Sequence, residues 1–189
     1  MKAASTAAYE QSGLSSGELE HLSAVARRAA EVGGEQLRQH FGRLQQVREK
    51  GRSGDLVTEA DHAAEAAVLA LLEAETPQIG VLAEESGRRP RPGELEWCVD
   101  PLDGTTNYAH SYPLFATSVG LCWRGQPLLG ALAAPGLEQL YWAAPGLGSW
   151  CNGSRLAVSN CPSLEQALLV TGFAYDRRSR LDNNYAEFA

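Results

Sequence analysis

Two aspartates three residues apart sit at the end of an apolar run. The segment reads Trp97-Cys98-Val99-Asp100-Pro101-Leu102-Asp103-Gly104-Thr105-Thr106-Asn107-Tyr108. The run Trp97 to Val99 predicts a short strand that delivers Asp100 at its end. Pro101 stops the ladder there, and Gly104 permits a tight turn. Carboxylates three apart on such a turn can face one side, together with the Leu102 carbonyl. That is an all-oxygen donor set, which suits Mg²⁺ rather than zinc or copper. Asp and Gly also make plain turns, so the D-x-x-D-G pattern alone does not decide. Two other carboxylate chemistries fail on spacing. An EF-hand needs alternate ligands and a Glu at the twelfth position, where this chain has Ser111. An aspartyl-phosphate enzyme commonly has its two Asp separated by one residue.

Further acidic groups lie upstream: Asp55, Asp61, Glu84 and Glu85. Gathered with Asp100 and Asp103 in one cleft, they would repel. Two like charges about 4 Å apart cost roughly 1 kcal/mol in water and roughly 4 kcal/mol at an effective dielectric of 20. Such a cluster raises its own pKa values unless cations sit inside it. Thr58 and Asp61 also form a capping-box pattern, a structural duty that competes with any chemical one.

The elements that must position these groups follow from periodicity. Ser15 and Glu18 form a capping box, and Leu19, Leu22, Val25, Ala26, Ala29, Ala30 and Leu37 recur at helical spacing, so a helix is expected over 17–40. Gly33-Gly34 marks close packing within it. A short strand is expected over 45–50 and a turn over 51–54. A second helix opens at Thr58 to Asp61 and is closed by Pro77. A buried strand over 79–82 ends in Glu84-Glu85, and 88–94 reads as a polar loop. From Leu114 the pattern turns to short runs at 115–123, 128–133, 139–142, 150–151 and 156–158, divided by turn residues, as in an antiparallel meander. One more strand is expected over 167–173 and the start of a helix over 182–189. Trp97 and Trp150 read as core. The fold class is α+β: two N-terminal helices on an antiparallel, roughly six-stranded sheet.

The composition excludes several classes. The chain has 189 residues and a net charge of −7, which argues against a nucleic-acid partner. No run of 18 apolar residues exists, so no membrane span is expected. The Ala- and Ser-rich residues 1–16 read as a flexible tail rather than a signal peptide. The cysteines Cys98, Cys122, Cys151 and Cys161 form no C-x-x-C pair and read as buried reduced thiols in a cytoplasmic protein. A cysteine phosphatase is excluded because Cys151 and Arg155 are separated by three residues, not five.

Asp100-Pro-Leu-Asp-Gly-Thr-Thr-Asn-Tyr108 resembles the D-P-[IL]-D-G-T-x-N-[FY] signature of the inositol monophosphatase family, the magnesium-dependent, lithium-sensitive sugar phosphatases. Asp55-Leu-Val-Thr58 with Asp61 is similar to that family's D-x-V-T-x-x-D segment. Ala83-Glu84-Glu85-Ser86 is similar to its G-E-E-S strand end, with Ala for Gly, and Cys151-Asn-Gly153 with Val158-Ser159 to its late hairpin. The resemblance covers roughly residues 19–189. It implies the first part of a layered αβαβα fold and hydrolysis of a small phosphorylated polyol or sugar, first of all inositol 1-phosphate. It also implies two or three Mg²⁺ in the complete site and a homodimer in the complete protein. By resemblance, Glu85, Asp100 and the Leu102 carbonyl hold the first Mg²⁺. Asp100 bridges to a second, which Asp103 also binds. Thr105 and Asp61 activate water, with Glu85 in the same catalytic group. Asp103, Gly104 and Thr105 meet the phosphate, and Lys50, Asp55 and Glu84 are secondary candidates. The family's W-D-x-A-A-G motif has no counterpart, since the four Trp residues precede Cys98, Arg124, Ala143 and Cys151. The chain is therefore expected to be a truncated member, lacking the family's C-terminal α/β part, weakly active or inactive by itself. Histidinol phosphate, a sugar bisphosphate or 3′-phosphoadenosine phosphate are alternative substrates, and a non-catalytic metal-binding or assembly module is the alternative of another class.

Overall fold

The structure is a computed structural model that describes residues 2–44, 46–49 and 56–171. Lys50, Asp55, the turn expected over 51–54 and the helix expected over 182–189 lie outside the described residues.

Residues 2–12, expected as part of a flexible tail, form helix α1 (Lys2–Ser12). Ala8 is buried, and the Ser5 hydroxyl donates to the Leu128 carbonyl at 3.1 Å. Helix α2 (Ser16–His40) starts at the expected capping box: the Ser15 hydroxyl accepts from the Glu18 N–H, and the Ser15 N–H donates to the Glu18 carboxylate at 2.8 Å. Its apolar stripe, Leu19 to Leu37, is buried as the periodicity predicts. Two short strands, β1 (Val47–Glu49) and β2 (Leu56–Thr58), pair antiparallel before helix α3 (Glu59–Glu75). The helix ends at Thr76, directly before Pro77.

The remaining strands are β3 (Gly80–Ala83), β4 (Gly87–Arg89), β5 (Leu95–Asp103), β6 (Ala116–Trp123), β7 (Gln126–Ala134), β8 (Gln139–Ala144), β9 (Gly148–Cys151) and β10 (Ser154–Arg155). A short helix, α4 (Thr105–Ala109), sits between β5 and β6. The main sheet has eight strands in the order β10-β9-β8-β7-β6-β5-β3-β4. It is antiparallel except for β3 beside β5, which run parallel. That pairing brings the end of β3, with its two glutamates, alongside the end of β5, with its aspartates.

Side chains alternate across the sheet. Trp97, Val99, Val119, Leu121, Leu129, Ala131 and Ala133 form one core with Leu22, Val25, Ala29, Val68 and Leu72 of α2 and α3. The Trp97 indole N–H, inside that core, donates to the Thr76 hydroxyl at 3.0 Å. The alternate residues Cys98, Asp100, Ser118, Gly120 and Cys122 face the other side and are half-buried.

Several expectations change. Residues 87–89 are strand β4 rather than loop; Arg88 reaches across to Glu96 with two hydrogen bonds of 2.6 and 3.0 Å. The last hairpin pairs Ser154–Arg155 with β9, and residues 156–163 and 167–171 form no strand; only the Leu156 N–H continues the pairing, to the Ser149 carbonyl at 2.8 Å. Trp150 is half-buried at the sheet's end, stacked on Trp142 at 5.8 Å, rather than core. The cysteines are free, but three are half-buried and Cys161 is exposed.

Candidate active site

Strand β5 does not stop at Asp100. Asp100 pairs with Ser118, the register slips, and Asp103 pairs with Ala116. Pro101 has no N–H for the ladder, so the chain bulges across Pro101 and Leu102 and then resumes. The hydroxyl of fully buried Thr117 donates to the freed Pro101 carbonyl at 2.9 Å. The Leu102 N–H turns back to the Asp100 carboxylate at 3.1 Å. Gly104 follows with a φ of 89°, a left-handed conformation that L side chains rarely take, and a Cβ there would lie 3.0 Å from the Leu114 carbonyl oxygen.

Behind this bulge lies a second small core of Leu37, Ala60, Ala64, Leu102, Tyr108 and Phe115. The Tyr108 hydroxyl donates to the Leu37 carbonyl at 2.6 Å, and burial pushes its pKa up. Leu102 and Tyr108, six residues apart, therefore clamp both ends of the Asp103–Asn107 segment to α2. Asp103 and Thr105, which lie between them, are positioned by that clamp.

Asp61 enters from α3. It is 1% exposed. Its Oδ2 accepts from the Thr58 N–H at 2.8 Å and the Thr58 hydroxyl at 2.7 Å, which completes the capping box. Its Oδ1 faces Thr105, whose hydroxyl lies 3.4 Å away and 3.0 Å from the Leu102 carbonyl. The capping duty and the contact with Thr105 thus use different oxygens of one carboxylate.

Glu84 and Glu85 arrive at the end of β3. The Glu84 N–H donates to the Val99 carbonyl at 3.0 Å, fixing the turn to β5 one residue before Asp100. The Glu85 N–H donates to Glu65, a buried carboxylate of α3, at 2.9 Å. The side chain that acts on Asp100 is that of Glu84. Asp100 is pushed up to about 7, first by burial, then by the charge and hydrogen bond of Glu84 and by the charge of Asp103; the Leu102 N–H opposes the shift. Asp103 itself is exposed.

The donor chemistry fits a hard divalent cation. Glu84, Asp100, Asp103 and the Leu102 carbonyl offer only oxygen. The pressure on Asp100 is of the kind that a positive charge relieves. Among the described residues, no three acidic, His or Cys side chains form a ready-made metal cage. Sequence reasoning missed Glu65 and Thr117. Their only signal was position, Glu65 one turn after Asp61 and Thr117 opposite the proline-induced bulge.

A model of the "Inositol monophosphatase family" matches residues 18–188. The chain is 46% identical over 168 residues to a Synechocystis "Inositol-1-monophosphatase", covering 87% of this chain and 58% of that protein. It is 39% identical over 160 residues to a "Fructose-1,6-bisphosphatase/inositol-1-monophosphatase" of Aquifex aeolicus, covering 84% of this chain and 60% of that protein. The solved inositol monophosphatase of Anabaena superposes with a TM-score of 0.77 at 42% identity, covering 90% of this chain and 62% of that one. The chain therefore spans about three-fifths of the length of these relatives.

Proposed function

We propose, from the premise that the chain belongs to the inositol monophosphatase family, that it serves the Mg²⁺-dependent hydrolysis of a small phosphate monoester, with inositol 1-phosphate the first candidate. The observation that carries this reading is Asp100, half-buried and pressed by the charges of Glu84 and Asp103. Asp100 and the Leu102 carbonyl would hold a first Mg²⁺ with Glu84, adjacent to the expected Glu85, and Asp103 would share a second with Asp100. Bound there, Mg²⁺ lowers the pKa of a coordinated water and neutralises charge on phosphoryl oxygens.

The chain's own residues supply position and proton handling. The Thr105 hydroxyl lies within reach of the Leu102 carbonyl and of Asp61 Oδ1; with the carbonyl taken up by a cation it would donate to Asp61, which leaves its oxygen lone pairs to accept from an attacking water. The water's proton passes to Thr105 Oγ1 as that group's proton moves to Asp61 Oδ1. Asp61 is shielded from solvent, so it stays aligned for that transfer. The N–H groups of Gly104 and Thr105 open the turn of α4, where backbone donors suit a phosphate. No covalent enzyme intermediate is required.

The Aquifex relative's double name favours a second substrate, a sugar bisphosphate, on the same machinery. The remaining attributes of the reading are a cytoplasmic location, a homodimer in the complete protein and a soluble polyol or sugar partner rather than nucleic acid. Among the described residues no helix is long and apolar enough to cross a membrane. The test is phosphate release from inositol 1-phosphate and fructose 1,6-bisphosphate by the full-length gene product with Mg²⁺. Thr105→Ala is expected to lower kcat about 100-fold with KM little changed, the usual scale of a lost proton-transfer group. Undiminished kcat in Thr105→Ala would remove Thr105 and Asp61 from the chemistry.

A further inference from the structure

Glu65 is a buried carboxylate that the proposed chemistry does not use. It is 5% exposed, on the buried face of α3, one helical turn beyond Asp61. A polar group at that depth requires hydrogen-bond partners. Its Oε2 accepts the Glu85 N–H at 2.9 Å. The preceding N–H, that of Glu84, is bound to Val99 at 3.0 Å. Two consecutive amides of one turn are thus tied to two different elements, β5 beside Asp100 and α3 beside Asp61. These two bonds hold the backbone that carries the Glu84 side chain, which is hydrogen-bonded to Asp100. A backbone N–H on a carboxylate is charge-assisted and about twice as strong as a neutral pair.

Building on the phosphatase reading, we propose that Glu65 is a positioning residue: it holds the Glu84–Glu85 turn against Asp100 and so sets the affinity of the cation site without touching the cation. Asp61–Thr105 and Glu65–Glu85 then make α3 the element that registers the acidic turns of β5 and β3 against each other. A positioning role and a purely structural one separate in experiment.

The test compares Glu65→Leu, which removes the acceptor, with Glu65→Gln, which keeps an oxygen at the same reach. Mn²⁺ affinity is followed by water-proton relaxation, and exchange of the Glu85 amide by NMR. Loss of a group that orients metal ligands commonly costs 10–100-fold in affinity. Glu65→Leu is therefore expected to bind Mn²⁺ at least about 10-fold more weakly and to exchange Glu85 faster, while Glu65→Gln restores both to near wild type. If Glu65→Leu fails to fold, Glu65→Asp, which keeps the charge but withdraws the oxygen, takes its place with the same expectation. A folded Leu or Asp variant with wild-type affinity and wild-type Glu85 exchange overturns the proposal. If the wild-type chain binds no Mn²⁺, the metal reading fails by itself. Exchange at Glu85 then decides alone whether Glu65 holds the turn: protection lost in the Leu variant supports it, and unchanged protection overturns it.

Discussion

Asp100 gives the site its pH dependence. Its folded-state pKa, about 7, lies above the roughly 3.9 of an unfolded aspartate. Between those values the folded chain holds a proton that the unfolded chain has lost, so stability falls as pH rises from about 4 to 7. Below that window both states are protonated and the penalty disappears; above it the penalty is complete. A divalent cation reverses the balance by favouring the carboxylate. Metal-free chain is therefore expected to melt lower at pH 8 than at pH 5.5 on account of this group, and Asp100→Asn to flatten that dependence. A variant with the same pH profile as wild type would show that Asp100 is not under the pressure described. At this scale the sequence was informative where spacing constrains geometry. The signature from Asp100 to Tyr108 and the capping pair Thr58 and Asp61 were readable because a turn and a helix start leave few choices. The adjacent pair Glu84 and Glu85 was not. Alternation fixes direction only inside a strand, and β3 ends at Ala83, so the period alone does not say which carboxyl faces Asp100.

At the scale of elements, one turn of α2 supports the site. Gly33 lets the helix approach β6 so closely that an added Cβ would lie 2.6 Å from Thr117 Cγ2 and 2.9 Å from Val68 Cγ2. Thr117 is the residue whose hydroxyl secures the Pro101 carbonyl. Four residues on, the Leu37 carbonyl receives the Tyr108 hydroxyl. Gly33→Ala must push either α2 or Thr117 aside. Overpacking costs about 1–3 kcal/mol, and the better helix propensity of Ala returns up to about 1 kcal/mol, so a net loss of about 1–2 kcal/mol in urea unfolding is expected. A neutral or stabilised variant would contradict the close approach. The Gly-Gly pair announced close packing in the sequence, but not its partner. The same limit applies to the parallel pairing of β3 with β5. Hairpins are local and turn residues reveal them, whereas a parallel pair is joined through a connection whose spatial course no local pattern encodes.

Across the whole molecule, the helices cover one face of the eight-stranded sheet, and the carboxylates gather where β3 and β5 end side by side. A net charge of −7 opposes the approach of an anionic substrate unless cations invert the field locally. The α+β class and the helices-on-sheet arrangement were legible from the change of period near Leu114. The extra strand β4 was hidden by its charged residues, which the pairing of Arg88 with Glu96 accommodates. The proposed function depends on whether the acidic turn of β5 takes up a divalent cation. Calorimetric titration of Mg²⁺ into the chain at pH 8, where Asp100 is ionised, tests it most directly. The account predicts saturable Mg²⁺ binding that Asp100→Asn abolishes while the fold persists. Absence of binding by the folded wild-type chain, or equal binding by Asp100→Asn, would contradict it.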